Sequence, residues 1–103
     1  KGFEQLEKDI KSWTNKSNYN FINTYVGNGY AKVSEELVQF INEFNTLHNI
    51  PLDAIYTGKM MMGILDLLAK DYFPKGSSIL AIHTGGLQGN KGMSERLGIK
   101  LPS

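Results

Sequence analysis

The 103 residues contain no cysteine, which excludes a disulfide and any thiolate metal site. Histidine is scarce as well. His48 and His83 stand far apart, so a zinc site is not expected, nor any other metal. Charge of one sign is also missing. Eleven lysines and arginines face ten aspartates and glutamates, for a net charge of +1, and the two signs are scattered. A nucleic-acid or membrane-surface partner would want a basic stripe, and there is none. No apolar run reaches the roughly 18 residues that a membrane helix needs. No signal peptide is visible, and a cytoplasmic protein is expected. There is no initiator methionine. Lys1-Gly2 leads straight into helical periodicity, so the chain reads as cut from something longer.

What is present is globular in character. Hydrophobic residues make up 41% of the chain. The length allows one domain with a modest core. Phe3, Leu6, Ile10 and Trp13 recur at helical spacing and predict an amphipathic helix over 2–14. Residues 14–20 are polar, a loop. Residues 19–26 are aromatic and β-branched, a short strand or extended segment. Gly27-Asn28-Gly29 is a turn or flexible loop. Ser34 is a plausible N-cap, with Glu35 and Glu36 at the positive end of the helix dipole. Leu37, Phe40, Ile41 and Phe44 then continue that helix to about Asn49, and Pro51 blocks it. Residues 52–56 read as a short strand or extended entry, Thr57-Gly58 as a turn, and 59–71 as a helix. Pro74-Lys75-Gly76 is a turn. Residues 78–83 are an apolar strand of the kind buried on both faces. The Gly-rich stretch 85–98 shows little order, and 87–103 is expected to be a poorly ordered tail. The alternation of apolar extended segments with helices predicts an α/β fold. No internal repeat is present.

The helix after Gly58 has almost no polar face, with Met60, Met61, Met62, Ile64, Leu65, Leu67 and Leu68. An all-round apolar helix is buried in a larger body or in a membrane, and this one is too short for a membrane. A tight small domain or a dimer would also bury it.

Two stretches carry candidate chemistry. Residues 52–59 and 82–86 share one grammar, an apolar run and then a sharp polar turn. In α/β proteins ligands bind where strands end and helices begin, so the pair suggests two strand ends facing one site. Thr57 can cap the following helix or donate to a ligand at its N-terminus, and capping alone is the commoner role. The first-turn amides favour an anion or an aromatic nitrogen acceptor. Tyr56 at the strand end is either an ordinary half-buried aromatic or a site residue. His83 is more often structural than catalytic in such a place. Lys59 is tempting as a Schiff-base nucleophile, but a solvated first-turn lysine is the simpler reading. Gly27-Asn28-Gly29 fails as a dinucleotide fingerprint because position 32 is lysine. Residues 85–91 fail as a P-loop.

Four motifs together resemble one family: Tyr25-Val26-Gly27-Asn28-Gly29-Tyr30, Asp53-Ala54-Ile55-Tyr56-Thr57-Gly58-Lys59, Phe73-Pro74-Lys75-Gly76-Ser77 and Ile82-His83-Thr84-Gly85-Gly86. With order and spacing intact over nearly the whole chain, they look like the C-terminal third of 1-aminocyclopropane-1-carboxylate (ACC) deaminase and its sister, D-cysteine desulfhydrase. The resemblance implies a pyridoxal-phosphate (PLP) enzyme of the tryptophan-synthase β superfamily. Such an enzyme has two open α/β domains, a cofactor in the cleft between them, a small amino acid as substrate, and is usually a homodimer. It implies that the Schiff-base lysine, the phosphate cup and the active-site serine lie in an N-terminal part not present here. Lys59 does not match that lysine. By the resemblance, Tyr30 lies near cofactor and substrate, and Tyr56 moves a proton or activates a nucleophile. Thr57 partners the pyridine nitrogen, and Gly58 and Thr84 lie on the cofactor side.

One departure bears on the substrate. Established ACC deaminases carry glutamate where this chain has Thr57. A glutamate keeps the pyridine nitrogen protonated and the ring a strong electron sink, and a neutral hydroxyl does so less well. β-Elimination of a good leaving group needs that sink less than ring opening does. The chain is therefore expected to resemble D-cysteine desulfhydrase. Ala54 replaces a frequent proline without mechanistic consequence. Two other readings stand beside this one: a non-catalytic fragment that folds alone or dimerises, and a small module that binds an anion at the helix near Gly58.

Overall fold

A computed structural model describes residues 3–27 and 32–103. Among these residues four helices follow one another: α1 (Phe3–Trp13), α2 (Glu35–His48), α3 (Thr57–Ala69) and α4 (Gln88–Leu97). Among the described residues there is no strand.

α2 forms where its caps place it. The Ser34 hydroxyl accepts from the Leu37 amide at 3.1 Å, and Glu35 and Glu36 occupy the first turn. Asn49 ends the helix in the left-handed region (φ 55), its amide donating to Asn45 O at 2.8 Å. The i, i+4 pair Leu37 and Ile41 is fully buried and faces α3. Gly58 lets the two helices close. A Cβ there would lie 2.6 Å from the Asp53 carbonyl and 2.7 Å from Ile41 Cδ1. The core comprises Leu37, Ile41, Leu52, Ala54, Met93 and Leu101, with Met61, Met62, Phe44 and Ile99 against it.

α1 spans nearly the expected residues but, among the described residues, packs on no other helix, and Trp13 is 74% exposed. α3 begins two residues earlier than its hydrophobic pattern suggests. Its apolar surface is only partly covered: Leu65 and Leu68 are exposed, Met60 and Ile64 half-buried.

The expected α/β character does not appear in these residues. Residues 52–53 are irregular and 54–56 form a turn, 19–26 run irregularly, and 78–83 form no strand, with Leu80 86% exposed. The apolar content of 78–83 is that of a buried strand. A strand, however, exists only by pairing with a neighbour, and no extended neighbour is described.

The second correction concerns 87–103, expected to be a poorly ordered tail. Those residues form α4 and dock. Asn90 and Met93, spaced i, i+3, are buried, as is Leu101. Gly89 and Gly92 each cost a helix about 1 kcal/mol, so propensity argues against α4. Burial of the Asn90–Met93 face outweighs it, and Gly98 (φ 66) ends the helix.

The accessible surface is 7851 Å². A folded monomer of this mass exposes about 5,800 Å². The radius of gyration, 15.0 Å, likewise exceeds the roughly 13 Å of a compact chain this long. The excess is apolar in part, with Leu47, Leu80 and Ile82 all more than 60% exposed.

Candidate active site

The turn entering α3 is organised by one carboxylate. Asp53 is 1% exposed. Its Oδ2 accepts from the amides of Ile55 and Tyr56, each at 2.8 Å. Its Oδ1 accepts from the Thr57 amide at 2.8 Å and from the Thr57 hydroxyl at 2.5 Å. The Thr57 oxygen in turn accepts from the Asp53 amide at 2.8 Å. Four donors and a helix N-terminus meet one negative charge, the arrangement that stabilises a buried carboxylate. Burial alone would push the Asp53 carboxyl up. The Thr57 hydroxyl and the Thr57, Tyr56 and Ile55 amides outweigh it and hold the group below its ordinary value.

That direction fixes the acid response. The native carboxyl protonates at lower pH than the unfolded one, so the unfolded chain binds more protons in that window. The stability supplied is fully present above about pH 4, the unfolded value, and is lost as pH falls through the native value. Urea unfolding at stepped pH should show wild-type stability dropping below about pH 4. Asp53→Asn should be less stable at neutral pH and flatter across that window.

A second buried polar group holds the turn from behind. Asn90 Oδ1 accepts from the Ala54 amide at 3.0 Å. Its Nδ2 donates to Leu52 O at 3.0 Å and to Pro102 O at 2.8 Å. The other motif arrives beside them. His83 Nδ1 accepts from the Gly85 amide at 3.0 Å, so Nε2 carries the proton and donates to Pro51 O at 2.8 Å. Gly86 has φ 94, and a Cβ on it would stand 3.0 Å from Asp53 Cγ and Oδ1. The two stretches singled out in the sequence are thus brought together, though through turns rather than strand ends.

The site residues separate into two groups. Tyr56 is 58% exposed and stands on an apolar groove of about 370 Å³ along α3, with Tyr25, Val26, Ile55, Lys59 and Ile64 among its walls. Thr84 is exposed. Thr57 and Gly58 face inward instead: Thr57 is 1% exposed, and both roles of its hydroxyl are taken by Asp53. Gly58 is a close-approach residue between helices. Thr57 therefore does not fit the part of a pyridine-nitrogen partner in this conformation. Asp53 already occupies the amides at the start of α3, which removes the anion site expected there. Tyr30 lies outside the described residues.

The groove wall is tied down at two points. Lys59 Nζ donates to Val26 O at 2.9 Å, and burial lowers the lysine's affinity for its proton. It is thus a half-buried tether rather than a solvated side chain. The Tyr25 hydroxyl donates to Asp66 Oδ2 at 2.6 Å, and Lys70 Nζ reaches the same oxygen at 2.8 Å. The Asp66 hydrogen bond raises the Tyr25 phenol, and the Lys70 and Tyr25 hydrogen bonds lower the Asp66 carboxyl. The Tyr25 ring lies over Gly63, where a Cβ would come within 3.0 Å.

Asp53 and Asn90 were not singled out in the sequence. An aspartate shortly before a helix is a capping signal, hidden here because the helix start was placed at Lys59. Asn90 gave no signal, set among glycines in the expected tail. Among the described residues no cluster of His, Asp and Glu could hold a metal, and no helix is long and apolar enough to cross a membrane.

No family model matches the chain. Individual proteins do, and they are amino-acid deaminases. The 1-aminocyclopropane-1-carboxylate deaminase of Allorhizobium ampelinum is 42% identical over 57 residues, covering 55% of this chain and 17% of its own. Those of a Bradyrhizobium species and of Rhizobium radiobacter are each 36% identical over 73 residues, 71% of this chain and 22% of theirs. The resemblance read from the four motifs is borne out: this chain is a relative of the ACC deaminases. It spans about a fifth of the length of the curated relatives it matches.

Proposed function

We propose that the chain is part of a PLP-dependent enzyme acting on a small amino acid in the cytoplasm. The observation that carries this is the 36–42% identity to proteins named ACC deaminase over more than half of the chain. The surface in excess of a compact monomer supports a further body covering α3 and residues 78–83. The natural occupants are the remainder of the same polypeptide, holding the Schiff-base lysine, and a second copy in a homodimer. PLP supplies an electron sink for amino-acid chemistry when bound. The proton-transfer role falls to Tyr56, which is exposed on the groove along α3. No contact is assigned to Thr57.

The substrate is D-cysteine rather than ACC. Position 57 carries no charge, and the nearest carboxylate, Asp53, is buried and committed to four donors. The D-cysteine reaction takes up water and yields pyruvate, ammonia and sulfide. The ACC reaction also takes up water and yields 2-oxobutanoate and ammonia. The natural polypeptide, supplied with PLP and offered both amino acids, should release sulfide and pyruvate from D-cysteine. Release of 2-oxobutanoate alone would assign the sister activity. No product from either would favour the non-catalytic reading.

A further inference from the structure

We infer that residues 22–26 form a strap that opens and closes the groove along α3, with the hydrogen bond from Tyr25 to Asp66 as its catch. The inference goes beyond the proposed function and does not rest on it, because strap, catch and groove are all formed by residues described here.

One stripe of α3 is built to receive this segment. Lys59, Gly63 and Asp66 follow at i, i+4 and i+7, so they share a face of the helix. Each of them meets residue 25 or 26. Lys59 Nζ donates to Val26 O at 2.9 Å. Gly63 is buried beside the Tyr25 ring, whose Cγ and Cδ2 would lie 3.0 Å from a Cβ there. The Tyr25 hydroxyl donates to Asp66 Oδ2 at 2.6 Å, across 41 positions of sequence. A glycine inside a helix is unfavourable, and here its bare backbone is the seat for the ring. The segment itself belongs to no helix or strand, so these contacts to α3 are what fasten it. A segment fastened at a few points opens locally, ahead of the core. The groove of about 370 Å³ depends on it: Ile22, Tyr25 and Val26 line it from the strap, Ile64 and Leu67 from α3. Lifting the strap removes the first set and leaves an open helix face.

Two readouts on the natural polypeptide test this. Chymotrypsin cuts after residue 25 only when the strap is free of α3, and when opening is fast the cutting rate follows the open population. Ile64→Cys reports entry to the groove through its rate of alkylation by iodoacetamide. Tyr25→Phe keeps the aromatic ring that chymotrypsin needs and removes only the catch. A hydrogen bond to a charged group shifts an opening equilibrium by about 10- to 100-fold. Both rates should rise by about 10- to 100-fold in Tyr25→Phe, with cutting normalised to the same site in the unfolded chain. Cutting after the exposed Tyr72 should not change. Gly63→Leu fills the seat of the ring while favouring the helix. It should speed both rates too, and it carries the test if Tyr25→Phe does not fold. Lys70→Gln removes the ion pair to the same Asp66 oxygen. Exposed pairs are weak, so it should change either rate by less than about fivefold.

Unchanged rates in Tyr25→Phe would overturn the catch. Faster cutting with unchanged alkylation would overturn the strap as a cover for the groove. An equal rise in cutting after Tyr72 would mean a loss of overall stability and would overturn both. A rise in Lys70→Gln equal to that in Tyr25→Phe would make the fastening one of charge and overturn the role of the hydroxyl. None of these outcomes requires the protein to turn over an amino acid.

Discussion

Asn90→Asp is expected to cost about 4 kcal/mol or more at neutral pH, the largest loss any single change here should produce. The Asn90 amide nitrogen donates to two carbonyls, Leu52 O and Pro102 O. Aspartate puts an oxygen in that place, so three acceptors face one another in a site that is 1% exposed. Each orphaned buried polar group costs about 1–3 kcal/mol, and an uncompensated buried charge costs more. Lowering the pH should restore part of the loss, since a protonated carboxyl can donate to one of the carbonyls. Urea unfolding followed by circular dichroism, at neutral and acid pH, gives both numbers. A loss under about 1 kcal/mol at neutral pH would mean that α4 is not docked as described.

Ile41→Ala should follow, at about 2–5 kcal/mol. Ile41 is fully buried, and its side chain fills the space left open by Gly58. Truncation opens a cavity between α2 and α3, the two helices that pack on each other. The walls cannot close on it easily, because the Gly58 amide donates a hydrogen bond to Asp53 O at 2.8 Å and holds the backbone there. Gly58→Ala does not refill the space, since its methyl would press on that same carbonyl. Both single variants and the double variant should therefore be destabilised in thermal unfolding. A double variant as stable as wild type would contradict this packing.

Much of this was legible in the sequence wherever the signal is local. Ser34, Glu35, the Leu37–Ile41 spacing and Pro51 mark α2 almost to the residue, because caps and periodicity act over one or two turns. The motif around Tyr56 was legible too, as was its meeting with 82–86. What escaped depends on groups distant in sequence. The apolar run 78–83 reads as a strand from composition, but a strand is a property of a pair. α4 is hidden by its glycines, because what folds it is burial of its Asn90–Met93 face, with Asn90 bonded to residues 36 and 38 positions away and to one near the chain end. Thr57 reads more readily as a cap than as a ligand group, and only the position of Asp53 shows that its hydroxyl serves neither and is bonded to Asp53 instead.

The most direct test of the central claim is the visible absorbance spectrum of the natural polypeptide, purified and titrated with PLP. The expected result is a new absorbance band that D-cysteine perturbs. Borohydride should abolish the band and leave the cofactor's mass attached to the protein. A spectrum equal to the sum of protein and free PLP, with no mass added after reduction, would contradict it.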